Sequence, residues 1–331
     1  MRAVQLTAPG QVAIREVPEP HDSGLAVVRS ETMGICGTDL KVLHGDIPVD
    51  LPRTLGHELV GRIVHSSDPR LSPGTRVLAD PALACGTCGP CLRGRPNLCR
   101  KGGLMGREVE GVFADLVAVD PRRLLVVPDE VSAESAGLLQ VLGTCVHGLS
   151  GPDLFGGDVA LVLGLGVTGQ LMVRLLATAG LAVVGVTRSE NKRQLAAANG
   201  AIAVAGLDEA AGVLAEVSGG EGPALVVEAV GLERTLARAI ELAGVGAGVV
   251  AFGTLTGGGE GLPYYDLYYK ELTLWNPRAA LLGDYARAIE LVSSGTIRVD
   301  DIVTHSFSLD EAHRAFELAE DPASLKVLIA N

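Results

Sequence analysis

The chain has 331 residues and a net charge of −12, from 27 basic and 39 acidic side chains. This length exceeds that of one typical core, and 43 glycines with 47% hydrophobic but only 3% aromatic residues favour two domains of an α/β fold over an all-β sandwich. The acidic balance argues against a general nucleic-acid surface, because neutralising phosphates requires clustered Lys and Arg.

The first third of the sequence predicts short strands separated by Gly and Pro, with no long helix between them. A strand begins within residues 1–4, and further candidates are residues 12–17, 25–31, 59–64, 76–78 and 113–119. This pattern predicts an irregular, partly closed β domain.

The period becomes helical at residues 134–149. Strands and helices then alternate, with strands at 159–163, 182–186, 225–228 and 248–252 and helices at 170–179, 192–199 and 232–242. That order predicts a parallel sheet with helices on both faces. Two helices (284–293 and 310–319) and a strand (326–329) close the chain.

The most apolar stretch, residues 159–173, carries no charge but is interrupted by three glycines. A membrane span needs roughly 20 apolar residues, so strand, turn and helix is the better interpretation. No basic and apolar leader opens the sequence. We therefore expect a cytoplasmic protein without a membrane segment.

Four cysteines form the sharpest local motif: Cys85, Cys88, Cys91 and Cys99. Four thiolates this close can surround one ion, as a closed structural zinc site requires. A pair of disulfides is the alternative, but a cytoplasmic location and three-residue spacing disfavour it. A nucleic-acid-binding zinc knuckle is a third option, and the acidic chain argues against it.

A second metal set comes from two separated segments, Cys36-Gly-Thr38-Asp39 and Gly56-His57-Glu58. A thiolate, an imidazole and a carboxylate leave a coordination position open for water or substrate, which is typical of catalytic zinc. Thr38 could relay a proton, and Asp39 could fix the tautomer of His57. Taken singly, Cys36 and His57 could also be ordinary packed residues.

The motif Gly164-Leu-Gly166-Val167-Thr168-Gly169 follows a predicted strand and opens a predicted helix. This context predicts a dinucleotide site in which backbone N–H groups and the helix N-terminus face a pyrophosphate. An ordinary βα turn is the alternative.

The next strand leads into Thr187, Arg188 and Ser189, where an NAD site usually carries an acid for the ribose 2′-hydroxyl. Thr187 does not repel a 2′-phosphate, and Arg188, Ser189 and Lys192 or Arg193 could bind one. NADP(H) is therefore favoured. The alternative is that Arg188 is a solvated surface charge and the protein accepts NAD(H).

The catalytic-type metal set, the four-cysteine motif and the glycine motif follow one another in this chain. With these three features in this order, the sequence resembles the zinc-containing medium-chain dehydrogenase/reductase family nearly from end to end. The resemblance implies a GroES-like irregular β catalytic domain over residues 1–139, with a structural-zinc lobe at 85–99. It also implies a Rossmann domain with a doubly wound parallel sheet over 140–278, and a C-terminal return to the catalytic domain over 279–331.

The family pattern also implies individual roles. Cys36, His57 and Glu58 match its catalytic zinc region, and Thr38 matches its proton-relay hydroxyl. Lys326 matches a basic residue that contacts the cofactor, and Thr144 would face the nicotinamide. Many members carry another acid or cysteine ligand where this sequence has Gln140, so either Glu58 or Gln140 completes the zinc shell.

The predicted function is a zinc-dependent oxidoreductase that moves hydride between NADP(H), or NAD(H), and a small alcohol, aldehyde or ketone. A zinc-dependent sugar or polyol dehydrogenase is one alternative, and a zinc-free reductase is the nearest enzymatic rival. A zinc-free reductase and a non-catalytic nucleotide-binding relative share the fold. The expected partner is a small-molecule substrate, and the expected assembly is a homodimer or homotetramer formed through residues 262–274.

Overall fold

The computed structural model describes residues 1–20, 24–255 and 259–331. The chain divides into two compact units: unit 1 comprises Met1–Gly143 and Ala279–Asn331, and unit 2 comprises Thr144–Arg278. The first boundary lies four residues beyond the one expected from the sequence.

The described residues contain strands and helices throughout. The strands are β1 Arg2–Ala8, β2 Gln11–Glu16, β3 Ala26–Gly34, β4 Arg53–Thr54, β5 Glu58–His65, β6 Arg76–Ala79, β7 Ala82–Leu83, β8 Gly103–Leu104, β9 Leu116–Val119, β10 Leu124–Val126, β11 Val159–Leu163, β12 Ala182–Val186, β13 Ala201–Ala205, β14 Leu225–Glu228, β15 Gly248–Ala251, β16 Thr273–Trp275, β17 Val303–Ser308 and β18 Lys326–Ala330. The helices are α1 Gly37–His44, α2 Gly89–Leu92, α3 Ala133–Ala136, α4 Leu139–Gly148, α5 Val167–Thr178, α6 Glu190–Ala198, α7 Ala210–Val217, α8 Glu233–Leu242, α9 Tyr264–Tyr269, α10 Leu282–Ser293 and α11 Ala312–Ala319.

Unit 1 is built on a seven-stranded sheet of order β10-β6-β5-β3-β18-β17, with β9 also paired to β3. Its pairings are antiparallel except that of β17 with β18. A smaller sheet, β2-β1-β4, packs into the same hydrophobic core. In this core Phe113 meets Phe316 edge to face, with ring centroids 6.0 Å apart. Because the last strand, β18, pairs with β3, the end of the chain completes a sheet that begins near its start.

Unit 2 is a six-stranded sheet of order β13-β12-β11-β14-β15-β16, in which every pairing is parallel. Runs of Val, Leu and Ala fill these strands, as expected for a sheet covered on both faces by helices. The predicted α/β fold class is confirmed. The predicted strands 159–163, 182–186 and 225–228 have the observed bounds of β11, β12 and β14.

Several elements differ from the expected ones. The eight-residue helix α1 was not predicted, and it lies in the region expected to contain no long helix. The helix expected over 134–149 is broken into α3 and α4 around Gly137, where an added Cβ would lie 2.6 Å from the Leu328 side chain. Strands β13, β16 and β17 and helices α7 and α9 were not predicted. Within the described ranges, no helix has the length and apolar character to cross a membrane.

Candidate metal and dinucleotide sites

The first metal-site residue, Cys36, lies at the N-cap of α1, two residues beyond the end of β3. The carboxylate of Asp39 turns back from the first turn of this helix, and its Oδ2 accepts the backbone N–H of Cys36 at 2.9 Å. This bond satisfies one of the free N–H groups of the helix start and fixes the Cys36 backbone.

The second segment precedes β5. Gly56 has φ +93°, and a Cβ added there would lie 2.6 Å from the Phe113 ring, so only glycine fits this turn. His57 follows it and is buried, with its Nδ1 3.2 Å from Oδ1 of Asp39. One carboxylate therefore holds both segments, through the backbone of Cys36 and the ring of His57.

The cluster has the donors that zinc requires. One ligand atom each from Cys36, His57 and Glu58 lies within 4.8 Å of the others, and His57 and Glu58 are buried. Burial lowers the pKa of His57, but Asp39 and Cys36 together raise it well above its usual value. Because the surroundings favour positive charge, and Nδ1 is engaged by Asp39, the other ring nitrogen remains for a cation. The residues fit a zinc ion.

Lys326, predicted to contact the cofactor, has other partners in unit 1. Its Nζ lies 2.5 Å from Oε2 of Glu58 and 3.0 Å from the carbonyl oxygen of Ile35, and it is buried. A Cβ at Gly34 would lie 2.2 Å from Oε2 of Glu58, so this pair fills the space beside the glycine. The ammonium neutralises one carboxylate oxygen of Glu58. The contact of Lys326 with a cofactor stays a prediction.

Gln140 and Thr38 have distinct surroundings. Gln140 is buried in α4, and its Nε2 donates to the hydroxyl of Tyr285 at 3.3 Å. Burial raises the pKa of Tyr285 well above its usual range, so this hydroxyl stays protonated. Thr38 is the second residue of α1 and is half-buried. The ligand role of Gln140 and the relay role of Thr38 stay predictions.

The four-cysteine lobe is closed at its base by the pairing of β7 with β8. The sulfur of Cys88 lies 3.4 Å from that of Cys91 and 3.7 Å from that of Cys99, and all four sulfurs lie within 4.8 Å of one another. Tetrahedral zinc with bonds of about 2.3 Å spaces its sulfurs by about 3.8 Å. All six cysteines of the chain are free thiols, so the disulfide alternative has no support.

The thiols of this lobe have divergent acidities. Hydrogen bonds from the backbone and hydroxyl of Thr87 lower the pKa of Cys85 to about 5. Burial and the neighbouring thiols, first Cys88, raise the pKa of Cys91 to about 11. Crowded sulfurs resist carrying several negative charges together, and a divalent cation relieves this repulsion. The lobe therefore fits a structural zinc ion.

In unit 2 the glycine motif connects β11 to α5, as predicted. Gly164 has φ +93°, and a Cβ on Gly169 would lie 1.8 Å from the carbonyl oxygen of Gly164, so the helix packs directly on the turn. Gly166 is the N-cap of α5, and a Cβ there would meet nothing within 4 Å. Val167 and Thr168 form the first turn of this helix. Open space at a helix N-terminus fits a pyrophosphate.

The residues predicted to choose the cofactor lie between β12 and α6. Thr187 follows β12, Arg188 is exposed, and Ser189 is the N-cap of α6. Lys192 lies in the first turn of that helix. Thr144, predicted to face the nicotinamide, is half-buried in α4. Their contacts with a cofactor stay predictions.

Glu228 was not singled out from the sequence. It ends β14 fully buried, and its Oε1 accepts the N–H groups of Val230 (2.8 Å) and Gly231 (2.9 Å) and the hydroxyl of Thr235 (2.7 Å). A Cβ on Gly164 would lie 2.5 Å from Val230. Glu228 thus fixes the loop that lies against the glycine motif. A charged residue that closes an otherwise apolar strand was the available signal.

Comparison with known families gives two matches. Residues 22–129 match the family described as alcohol dehydrogenase GroES-like domain, and residues 167–294 match the family described as zinc-binding dehydrogenase. The first span contains the ligands of both candidate metal sites, and the second begins within the glycine motif, at Val167.

Similar proteins cover almost the whole chain. A protein of Neosartorya fischeri described as a probable D-xylulose reductase A is 30% identical over 96% of this chain and 91% of its own. Alcohol dehydrogenase TADH from Thermus sp. ATN1 is 33% identical, with a TM-score of 0.93 over 100% of this chain and 99% of its own. A structure from Sinorhizobium meliloti, described as a zinc-binding dehydrogenase bound to NADP, is 32% identical, with a TM-score of 0.92 over the same shares.

Proposed function

The chain belongs to the zinc-containing medium-chain dehydrogenase/reductase family, and on this basis we propose that it moves hydride between NADP(H) and a small alcohol, aldehyde or ketone. Its class, an oxidoreductase acting on CH–OH groups, follows from the family and agrees with the sequence prediction. The observation that carries the proposal is the cluster of half-buried Cys36 with buried His57 and Glu58, whose two segments are held together by Asp39.

When bound, zinc supplies positive charge for a substrate oxygen, and the nicotinamide accepts or donates hydride. Cys36 and His57 hold the metal, with Glu58 or Gln140 completing the set. Asp39 keeps the imidazole in one tautomer and orientation. The hydroxyl of Thr38 carries the alcohol proton toward solvent. The N–H groups of the Gly164–Gly169 turn bind the pyrophosphate.

The preference for NADP(H) rests on Thr187 and Arg188. No acid occupies the position that follows β12, and the exposed Arg188 offers a cation for a 2′-phosphate. The NADP-bound structural relative supports this choice. NAD(H) remains the alternative cofactor.

Sugars and polyols are the second candidate substrate class. The Neosartorya fischeri relative, described as a D-xylulose reductase, favours them. The same zinc site serves both classes, so the choice between them must come from turnover. The measurement is oxidation of a panel of simple alcohols and of polyols with NADP. Higher kcat/KM for the simple alcohols supports the first class, and the reverse supports the second.

Substitution of Cys36 tests the metal site. We expect Cys36→Ala to lose one of two zinc ions and to reduce turnover to background, while NADP binding stays measurable. Cys145→Ala, which lies in neither cysteine cluster, is the control and should retain both ions. The measurements are metal analysis, NADPH oxidation with a carbonyl panel and calorimetric titration with NADP. Turnover retained by Cys36→Ala would contradict the proposal.

Location and assembly complete the proposal. Six free thiols, four of them in a zinc-like cluster, suit a reducing compartment, which supports a cytoplasmic protein. The edge strand β16 and the adjacent α9 carry exposed Leu and Tyr side chains. An open strand edge beside an exposed apolar surface favours self-association, so we propose a homodimer or homotetramer that uses this region.

A further inference from the structure

The turn after β12 places opposite charges close together at the carboxyl edge of the unit 2 sheet. Thr187 leaves β12, and its N–H donates to the carbonyl of Ala205, the last residue of the neighbouring β13. Helix α6 begins three residues later with Glu190. An acid therefore does follow this strand, at Glu190 rather than at Thr187.

Arg193 holds this acid. Its Nε and Nη2 lie 3.1 and 2.5 Å from Oε2 of Glu190, and Gln194 donates to Oε1 at 3.1 Å. These hydrogen bonds, that of Arg193 first, lower the pKa of Glu190, so the carboxylate stays charged and engaged. Nη1 of Arg193 also donates to the carbonyl oxygen of Thr187 at 2.9 Å. One guanidinium thus connects the acid to the backbone where the predicted specificity residue lies.

A second acid nearby is engaged as well. Glu209 accepts the N–H of Gly206 at 3.1 Å, just beyond the end of β13. By contrast, Arg188 is exposed, and among the residues that the structure describes it has no hydrogen bond or ion pair. Glu190 and Glu209 are therefore both bound within the protein, while the guanidinium of Arg188 is open to an anionic ligand.

We propose that Arg193 is a positioning residue that sets the preference for a 2′-phosphorylated dinucleotide by holding Glu190 on its own helix. A carboxylate released at this turn would repel a 2′-phosphate and could accept a hydrogen bond from an unmodified ribose 2′-hydroxyl. Arg193 thus acts through the acid, whereas Arg188 attracts the phosphate. The inference rests on the proposed use of NADP(H) and names a further residue that determines it.

Calorimetric titration of the zinc-loaded protein with 2′,5′-ADP and with 5′-AMP tests this arrangement without turnover. We expect Arg193→Met to lower the affinity ratio of 2′,5′-ADP to 5′-AMP roughly tenfold, because a like charge now faces the phosphate. In Arg193→Met/Glu190→Gln the ratio should return to within about threefold of the unmodified protein. Glu190→Gln alone should change the ratio less than about threefold, since its carboxylate is already withheld.

Arg287→Met is the matched control, because Arg287 forms an ion pair at the same helical spacing with Glu290 in unit 1. It should leave the ratio unchanged. A thermal melt of each variant separates a selective change from loss of the fold, and the Glu190→Gln result stands even if Arg193→Met does not fold.

Three results would overturn the inference. They are an unchanged ratio in Arg193→Met, a double variant that stays low, and a roughly tenfold rise from Glu190→Gln alone. These results concern Arg193 alone: the proposed function still holds in each case, provided that the unmodified protein prefers 2′,5′-ADP to 5′-AMP. If the unmodified protein binds 5′-AMP as well as 2′,5′-ADP, the NADP(H) proposal fails, and the role of Arg193 fails with it.

Discussion

At the scale of single residues, the candidate catalytic site depends on one carboxylate that touches two chain segments. Asp39 is 3% exposed, and its two oxygens face the N–H of Cys36 and the ring of His57. A buried carboxylate with both oxygens engaged cannot turn to another partner without leaving a donor unsatisfied. Asp39 therefore holds two metal-site residues, Cys36 and His57, in position before any metal binds.

We predict that Asp39→Asn weakens zinc binding at this site by about 10- to 100-fold, the usual effect of losing an outer partner of a ligating histidine. An asparagine keeps the shape but lacks the charge that orients the imidazole. Competition with a coloured chelator measures the effect, and the four-cysteine lobe should keep its ion. Asp46→Asn, on the exposed end of the α1 region, carries the same charge change and should bind two ions normally. Equal zinc affinity in both variants would contradict the role of Asp39.

The sequence predicted residue types better than it predicted partners. Cys36, His57, Glu58 and the four clustered cysteines stand out because thiol, imidazole and carboxylate groups at short spacing suit zinc. The bond of Lys326 to Glu58 joins residues 268 positions apart, and no local pattern encodes such a contact. Likewise, the contact of Gln140 with Tyr285 depends on the packing of α10 beside α4, which is a tertiary contact.

At the scale of secondary structure, the glycine motif controls how closely α5 approaches β11. Gly169 packs against the backbone of Gly164, whereas Gly166 borders open space. The two glycines therefore serve different purposes: one allows helix and turn to touch, and the other leaves room for a ligand.

This difference predicts opposite behaviour for two alanine substitutions. Gly166→Ala, at φ −70°, should change the free energy of unfolding by less than about 0.5 kcal/mol but weaken NADP binding at least about tenfold, because the methyl group projects where the pyrophosphate would lie. Gly169→Ala should destabilise the fold by about 2 kcal/mol, since the helix must move away from backbone atoms. Urea denaturation and calorimetric titration measure the two quantities. A Gly166→Ala variant with unchanged affinity would exclude the predicted phosphate position.

Predictability from sequence also varied between elements. The central strands β11, β12 and β14 were predicted with their observed bounds because fully buried parallel strands are continuous apolar runs. Helix α1 has only eight residues and weak amphipathicity, so its period was not visible. The edge strand β16 has three residues and is held by pairing with β15, which is a tertiary rather than a local cause.

At the scale of the whole molecule, the aromatic residues are unevenly distributed. The chain has five tyrosines; one is fully buried, and the other four lie on α9 with 69–77% of their surface exposed. Two of them, Tyr265 and Tyr269, stack with ring centroids 5.7 Å apart. Strand β16 begins at Thr273, shortly after α9, and forms one edge of the unit 2 sheet. A surface this apolar beside an unpaired strand edge is typical of an interface.

We predict that the double substitution Tyr268→Glu/Leu274→Glu shifts the protein to monomers, because two buried charges per copy oppose an interface centred on α9 and β16. Sedimentation velocity at micromolar concentration measures the assembly. Phe155→Glu is the matched control, since Phe155 is an aromatic side chain of unit 2 that is 66% exposed but lies outside these elements. It should leave the oligomer intact. If the double variant sediments like the unmodified protein, the interface lies elsewhere, and the exposed tyrosines require another explanation.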